Sequence, residues 1–200
     1  MKNTKLIVKT KSKSYPIYIG NEILNKTGIL IKNNLPGVNK VCIISDNNLP
    51  PILLKKLVKS LKNYDIKIYK LTVNEKIKNL NFANKIIEQL LKDNFNRSDC
   101  IVSLGGGIVS DLSAFISSVT KRGMKFINIP TTLLAQSDAS IGGKTGVNSS
   151  QGKNLIGTFY QPDFVLTDVS TLSSLSKKEM VCGYGEILKH SLIVNRKFFK

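Results

Sequence analysis

Two hundred residues, 42 % apolar and 22 % charged, give room for one globular domain or one plus the opening of a second, with a core that needs no covalent staples. The formal net charge of +17 suggests a polyanion binder. However, only Arg97, Arg122 and Arg196 among the 30 basic residues are arginine, and the lysines are scattered among asparagines and isoleucines, so nucleic acid is not an expected partner.

Cys42, Cys100 and Cys182 form no C-x-x-C pair, which argues against disulfide frameworks and zinc ribbons. The N-terminal stretch lacks the apolar core of a signal peptide, and no run approaches the ~18 residues of a membrane span. A cytoplasmic protein without membrane association is expected.

The chain opens with two expected strands, 5–10 and 15–19, joined by a Lys/Ser turn. Strands and helices then alternate. A helix is expected over 21–33, a buried strand over 40–45 (KVCIIS), and a helix over 51–63 with Pro51 in its first turn. A strand is expected over 65–73. The helix over 81–92 should bury Phe82, Ile86 and Leu90. The apolar strand 100–104 runs into glycines and a helix over 108–120, followed by strands 125–129 and 164–166. This alternation predicts an α/β fold: a Rossmann-like, mainly parallel sheet with helices on both faces.

Ser176-Lys177-Lys178-Glu179 is a capping box that opens a last helix carrying Met180, Ile187, Leu188 and Leu192. It reads as the first helix of an α-helical C-terminal domain whose remainder is absent. The expected division is residues 1–168 for the α/β domain and 169–200 for the start of the helical one.

IVSLGGGIVSD (101–111) leads a strand through three glycines into a helix. Backbone amides at such a helix start attract phosphate, and glycine lets a pyrophosphate approach. The G-x-G-x-x-G pattern fails at Ser110, and no acidic residue follows at the ribose-binding distance. Asp46, after an earlier strand, is the better ribose candidate.

IGGKTG (141–146) imitates a phosphate-binding P-loop, but the glycine required at 138 is Asp138, whose carboxylate would repel a triphosphate. Thr131 and Thr132 follow Pro130 at a strand end, where they can cap a helix or meet a ligand. Glu186, Lys189 and His190 share one helix face. A carboxylate and a histidine one turn apart can ligate a metal, yet His190 is the only histidine, and the residues alone favour a surface cluster over a metal site.

Taken together, SLGGGIVSDLSAF (103–115), KRGMKFINIPTTLLAQSDASIGGKTGVN (121–148), GKNLIGTFYQP (152–162) and GYGEILKHSLI (183–193) resemble the 3-dehydroquinate synthases, a family of sugar-phosphate cyclases. A weaker echo precedes them in SDNN (45–48) and in Glu75-x-x-Lys78.

The resemblance implies an NAD site with Asp46, Glu75 and Lys78 around the cofactor. Gly106, Gly107, Ile108, Val109, Ser110 and Asp111 would hold the pyrophosphate. Thr131, Thr132, Lys144, Lys153, Thr171, Leu172, Ser173 and Ser174 would complete the pocket. It implies that Arg122, Asp138, Lys144, Asn154 and Lys189 face the substrate, a small phosphorylated sugar acid, with Lys144, Lys189 and Asp138 catalytic.

Glu186 matches the carboxylate that ligates the divalent metal, zinc or cobalt, whereas His190 stands at a position that is not a ligand in that family. The implied reaction converts 3-deoxy-D-arabino-heptulosonate 7-phosphate into 3-dehydroquinate and phosphate in the shikimate pathway, with NAD regenerated each turnover. The family's two histidine ligands belong to the helical domain, so this chain alone is expected to bind NAD without turning over. A homodimer is expected once such a half is in place. Another sugar-phosphate cyclase, a metal-dependent polyol dehydrogenase and a non-catalytic nucleotide-binding remnant stay open as alternatives.

Overall fold

A computed structural model of the chain describes residues 3–194 and 196–199. Strands β1 (Thr4–Lys9) and β2 (Ser14–Gly20) form an antiparallel pair. Helix α1 (Thr27–Asn34), β3 (Lys40–Asp46), α2 (Pro51–Ser60), β4 (Asp65–Leu71), α3 (Leu80–Lys92), β5 (Cys100–Gly105), α4 (Gly107–Val119) and β6 (Lys125–Pro130) follow in alternation. A π-turn (Ala135–Ala139), the hairpin β7 (Val147–Ser149) and β8 (Gly152–Ile156), β9 (Phe164–Asp168), a 3-10 turn (Val169–Ser174), α5 (Lys177–Val194) and α6 (Arg196–Phe199) complete the chain.

The main sheet has seven strands in the order β1-β2-β9-β6-β5-β3-β4, and every pairing except β1–β2 is parallel. This is the expected α/β architecture. Its central strands are covered on both sides because alternate residues feed two cores. Val41 and Ile43 of β3, with Val102 and Leu104 of β5, pack with Ile31, Leu53 and Leu57 of α1 and α2. Cys42, Ile44 and Ile101 pack instead with Ile86 and Leu90 of α3 and Leu112 and Ile116 of α4. Such strands lack an exposed face and read as continuous apolar runs.

The chain travels from β3 outward to β4, then returns to the other side of β3 for β5, β6 and β9. That reversal places a crevice between the C-terminal ends of β3 and β5, where ligands of open parallel sheets bind.

Some boundaries differ from the sequence expectation. The helix expected from residue 21 starts at Thr27, after a 3-10 turn. Glu22 has φ +55°, and the amides of Glu22 and Leu24 are held at 2.8 Å by the buried Asp168 carboxylate. The helix α2 stops at Ser60 because Leu61 and Tyr64 turn back on Val58 and Leu61. In α3 the buried stripe is Ala83, Ile86 and Leu90, with Phe82 at its margin. The β7–β8 hairpin and the π-turn were not anticipated, since neither carries a clean apolar period.

At the start of α5 the capping box forms as read: Ser176 Oγ accepts from the Glu179 amide at 3.3 Å and Glu179 Oε2 accepts from the Ser176 amide at 3.3 Å. Only Gly183 and Ser191 of α5 are buried, and Val181, Tyr184 and Leu192 are exposed. Among the described residues no helix is long and apolar enough to cross a membrane.

Candidate active site

All parallel strands end on one edge of the sheet, so the topology gathers residues far apart in sequence. Asp46 closes β3, the glycine turn closes β5, Thr131 and Thr132 follow β6, and Thr171–Ser174 follow β9. Glu75 and Lys78 lie on the 3-10 turn after β4.

The three glycines have different roles. A Cβ on Gly105 would lie 2.7 Å from Val109 Cγ2, so this glycine lets α4 pack closely on its own strand. A Cβ on Gly106 would meet Thr132 Cγ2 at 3.1 Å, whereas one on Gly107 would be 3.8 Å from its nearest neighbour, Ala139. Gly106 is the extended N-cap of α4 (φ −80°, ψ −169°), and no side chain caps the helix. The first-turn amides at Gly107, Ile108 and Val109 are therefore left for an anion at the positive end of the helix. Ser110 turns inward instead: its amide donates to Gly106 O at 3.0 Å and its hydroxyl to Asn128 Oδ1 at 3.0 Å.

Thr132 Oγ1 caps the turn that follows it, accepting from the Ala135 amide at 3.2 Å, while Thr131 Oγ1 is buried without a protein partner. Thr171 is buried behind the edge, where Gln136 Nε2 reaches its Oγ1, Pro130 O and Asp168 O, each at 3.1 Å. Leu172, Ser173 and Ser174 continue that turn, with Ser173 exposed.

On the other flank Lys78 is only 4 % exposed, and its Nζ donates to Asp111 Oδ2 and Asn154 Oδ1, both at 2.5 Å. Burial lifts the Asp111 carboxyl above its usual range, and the Lys78 ammonium opposes that shift. Glu75 is more exposed and moves the other way. Its Oε1 accepts from Asn148 Nδ2 at 2.9 Å and faces Lys153 Nζ at 3.7 Å, and the Asn148 bond leads in holding its carboxyl below the ordinary value.

Asp46 Oδ1 accepts from the Asn48 amide at 2.8 Å, an Asx turn that fixes the carboxylate at the crevice lip. Asn148 closes the flank: its amide donates to Lys78 O at 2.7 Å and its Oδ1 accepts from the Asn154 amide at 2.9 Å. It stands in the GGKTGVN run, yet neither spacing nor residue type marked it as a clasp.

A cavity of about 680 Å³ lies between the hairpin and the π-turn, and Asp111, Asp138, Lys144, Asn154 and Phe159 line it. It brings together three of the five expected substrate residues, Asp138, Lys144 and Asn154. Lys189 adjoins through its ion pair with Glu186.

Arg122 is not brought in. It lies after α4, at the opposite edge of the sheet, in a turn where Lys121, Arg122 and Gly123 all have positive φ. Thirteen helical residues at 1.5 Å each put that turn about 20 Å from the glycines.

Glu186 and His190 sit one turn apart on α5, with Nε2 of His190 3.2 Å from Glu186 Oε1 and 3.9 Å from Asp138 Oδ1. Gly183 sets this placement, because a Cβ there would lie 2.5 Å from Leu133 Cβ; its absence lets α5 cross the segment before the π-turn closely. Asp138, Glu186 and His190 offer ligand atoms all within 4.8 Å of one another. Two carboxylates and an imidazole suit a divalent cation. The Lys189 hydrogen bond, first among the causes, holds the Glu186 carboxyl below its ordinary value, so it stays ionised. His190, which the family resemblance does not count as a ligand, brings its Nε2 into the same cluster.

The family model for the N-terminal part of 3-dehydroquinate synthase matches residues 68–182. A 3-dehydroquinate synthase of Pelagibacter ubique is 54 % identical over 195 residues, covering 98 % of this chain and 53 % of that protein. One from Blochmanniella floridana is 44 % identical over 200 residues and is covered to 54 %. The chain thus spans about half the length of the curated relatives it matches.

Among solved structures, 2-deoxy-scyllo-inosose synthase in complex with carbaglucose-6-phosphate, NAD+ and Co2+ superposes with a TM-score of 0.90 at 26 % identity, over 96 % of this chain and 52 % of that one. An iron-containing alcohol dehydrogenase shares the fold with a TM-score of 0.73 at 18 % identity, over 89 % of this chain and 52 % of that one. The long motif match, the parallel-sheet crevice and the extent of the family model agree, and the chain belongs to the 3-dehydroquinate synthase family.

Proposed function

We propose that this chain supplies the NAD-binding half of a cytoplasmic 3-dehydroquinate synthase, which eliminates phosphate from 3-deoxy-D-arabino-heptulosonate 7-phosphate and closes the carbocycle. The observation that carries this reading is the meeting, on one sheet edge, of an uncapped glycine helix start with a pocket lined by Asp138, Lys144 and Asn154.

Asp46 and the Gly106–Val109 turn would hold NAD at the switch crevice, and Glu75 and Lys153 would border its far end. Asp138, Glu186 and His190 would hold a divalent metal such as zinc or cobalt. When bound, NAD supplies a hydride acceptor and the metal a Lewis acid.

The chain's own groups bind and orient. Lys144 offers its ammonium to the substrate's anionic groups, the Asn154 Nδ2 donates to its hydroxyls, and the Asp138 carboxylate accepts from them. The pairing of Lys189 with Glu186 keeps an ammonium at the pocket rim for phosphate or carboxylate. Arg122, remote from this pocket, is available to a second copy of the chain, in keeping with a homodimer. The division of the chain near Asp168 follows from the same reading, with α5 opening a helical unit.

Titration of the purified chain with NAD by calorimetry tests the cofactor assignment, and saturable binding at one site per chain is the expected result. Addition of the heptulosonate phosphate to the NAD-loaded, Co2+-supplemented chain should then give saturable binding without phosphate release. Absence of NAD binding overturns the proposal.

A further inference from the structure

Behind the glycine turn lies a buried polar network. Asn128, in β6, pairs in register with Ser103 of β5 and is only 3 % exposed. Its Oδ1 accepts from Ser103 Oγ at 2.7 Å and from Ser110 Oγ, in the first turns of α4, at 3.0 Å. Both serines are buried as well.

Three polar side chains in an otherwise apolar layer are tolerated only when they satisfy one another. Asn128 Nδ2 donates to no protein acceptor among the described residues. Asn128 lines a cavity of about 10 Å³ together with Ser110, Ser140 and Lys144, and Ser140 Oγ is buried without a protein partner. That volume suits a single water, and the Asn128 amide and the Ser140 hydroxyl are partners of the kind an internal water needs.

We infer that Asn128 is a positioning residue. Through Ser110 it fixes the first turn of α4, and through one internal water shared with Ser140 it fixes the segment that carries Asp138. The amides at the start of α4 serve a pyrophosphate only when held to within a fraction of an ångström, and a hydroxyl one turn in, anchored to the neighbouring strand, sets the helix's rotation. The effect on NAD rests on the cofactor reading above; the tie between the elements does not.

Three variants separate positioning from mere stability. Ser110→Ala and Asn128→Leu should weaken NAD binding roughly threefold to tenfold, a coupling typical of residues sharing one network. Ser103→Ala removes the other bond to the same oxygen from a strand that does not move the turn, and it should lower the melting temperature while leaving NAD affinity unchanged. Equal effects of all three on affinity, or none, overturn the inference.

Hydrogen exchange measured without NAD decides it independently. The hydrogen-bonded amides of 110–112 should exchange faster in Ser110→Ala than in Ser103→Ala, and those of 135–141 faster in both Asn128→Leu and Ser140→Ala. Unchanged exchange overturns the corresponding link. A wild-type chain that fails to bind NAD overturns the proposed function alone, and the exchange data still judge the network.

Discussion

Lys78 Nζ stands 2.5 Å from Asp111 Oδ2 and 2.5 Å from Asn154 Oδ1, so one buried ammonium joins the helix after the glycines to the hairpin over the pocket. Lys78→Met would leave the Asp111 carboxylate largely buried and unpaired, at a cost of about 3 kcal/mol.

The pH dependence has a definite sign. Asp111 has a raised pKa in the fold, so the stability tied to its protonation is complete below the unfolded value of about 3.9 and is lost as pH rises through the folded value. Removing Lys78 takes away what opposes that rise and moves the folded value higher still. The stability deficit of the variant should thus be smaller at pH 5 than at pH 8, measured as the difference from wild type in urea unfolding. A deficit independent of pH would show that the pair does not set the carboxyl's titration.

Gly105 and Gly107 should respond oppositely to alanine. Gly105→Ala drives a methyl to within 2.7 Å of Val109 and should cost about 1–3 kcal/mol by overpacking. Gly107→Ala meets nothing closer than 3.8 Å and should leave the melting temperature within a few degrees. Its methyl stands where a pyrophosphate would approach the amides, so NAD affinity should fall about tenfold. Unchanged affinity in Gly107→Ala would place the cofactor elsewhere.

The sheet was largely legible because its central strands are unbroken apolar runs, such as KVCIIS and CIVSL, punctuated by glycine or proline. What escaped reading depends on tertiary contacts. Asp168 delays α1 by holding the Glu22 and Leu24 amides across 146 and 144 residues of sequence, which no local pattern encodes. The β7–β8 hairpin has strands only three and five residues long, in which Val147 is buried and Ile156 packs beside it while the rest is polar or exposed, too short a pattern to show a period; Asn148 and Lys78 complete its attachment. Motif text singled out Lys144 and Asn154, which line one cavity in the fold, and Glu186, which lies on α5. The inclusion of His190 beside Asp138 needed the close crossing at Gly183.

The acid–imidazole cluster makes a separate prediction. Glu186→Gln keeps the shape but removes the charge that a divalent cation needs, so Co2+ binding followed by its visible absorption should weaken at least tenfold, with Asp138→Asn and His190→Ala acting in the same direction. Lys189→Met should strengthen Co2+ binding in the absence of substrate, because the ammonium competes for the same Glu186 oxygen. If all four variants bind Co2+ like wild type, the cluster is only a hydrogen-bonded surface group.

Asn154 is held at φ +58° within a strand, a conformation that asparagine tolerates better than most residues and glycine adopts freely. Its side chain also accepts from Lys78, so two effects can be separated by substitution. Asn154→Ala loses the hydrogen bond and carries the left-handed strain. Asn154→Gly loses the bond alone and should be more stable than the alanine variant by about 1 kcal/mol.

Both variants free the Lys78 ammonium from one of its two partners, so both should loosen the hairpin equally, seen as faster amide exchange over 147–156. If backbone strain dominated the local energetics, the glycine variant would match or exceed wild-type stability. If the Lys78 contact dominates, as burial of that ammonium implies, both variants fall below wild type and differ only by the strain.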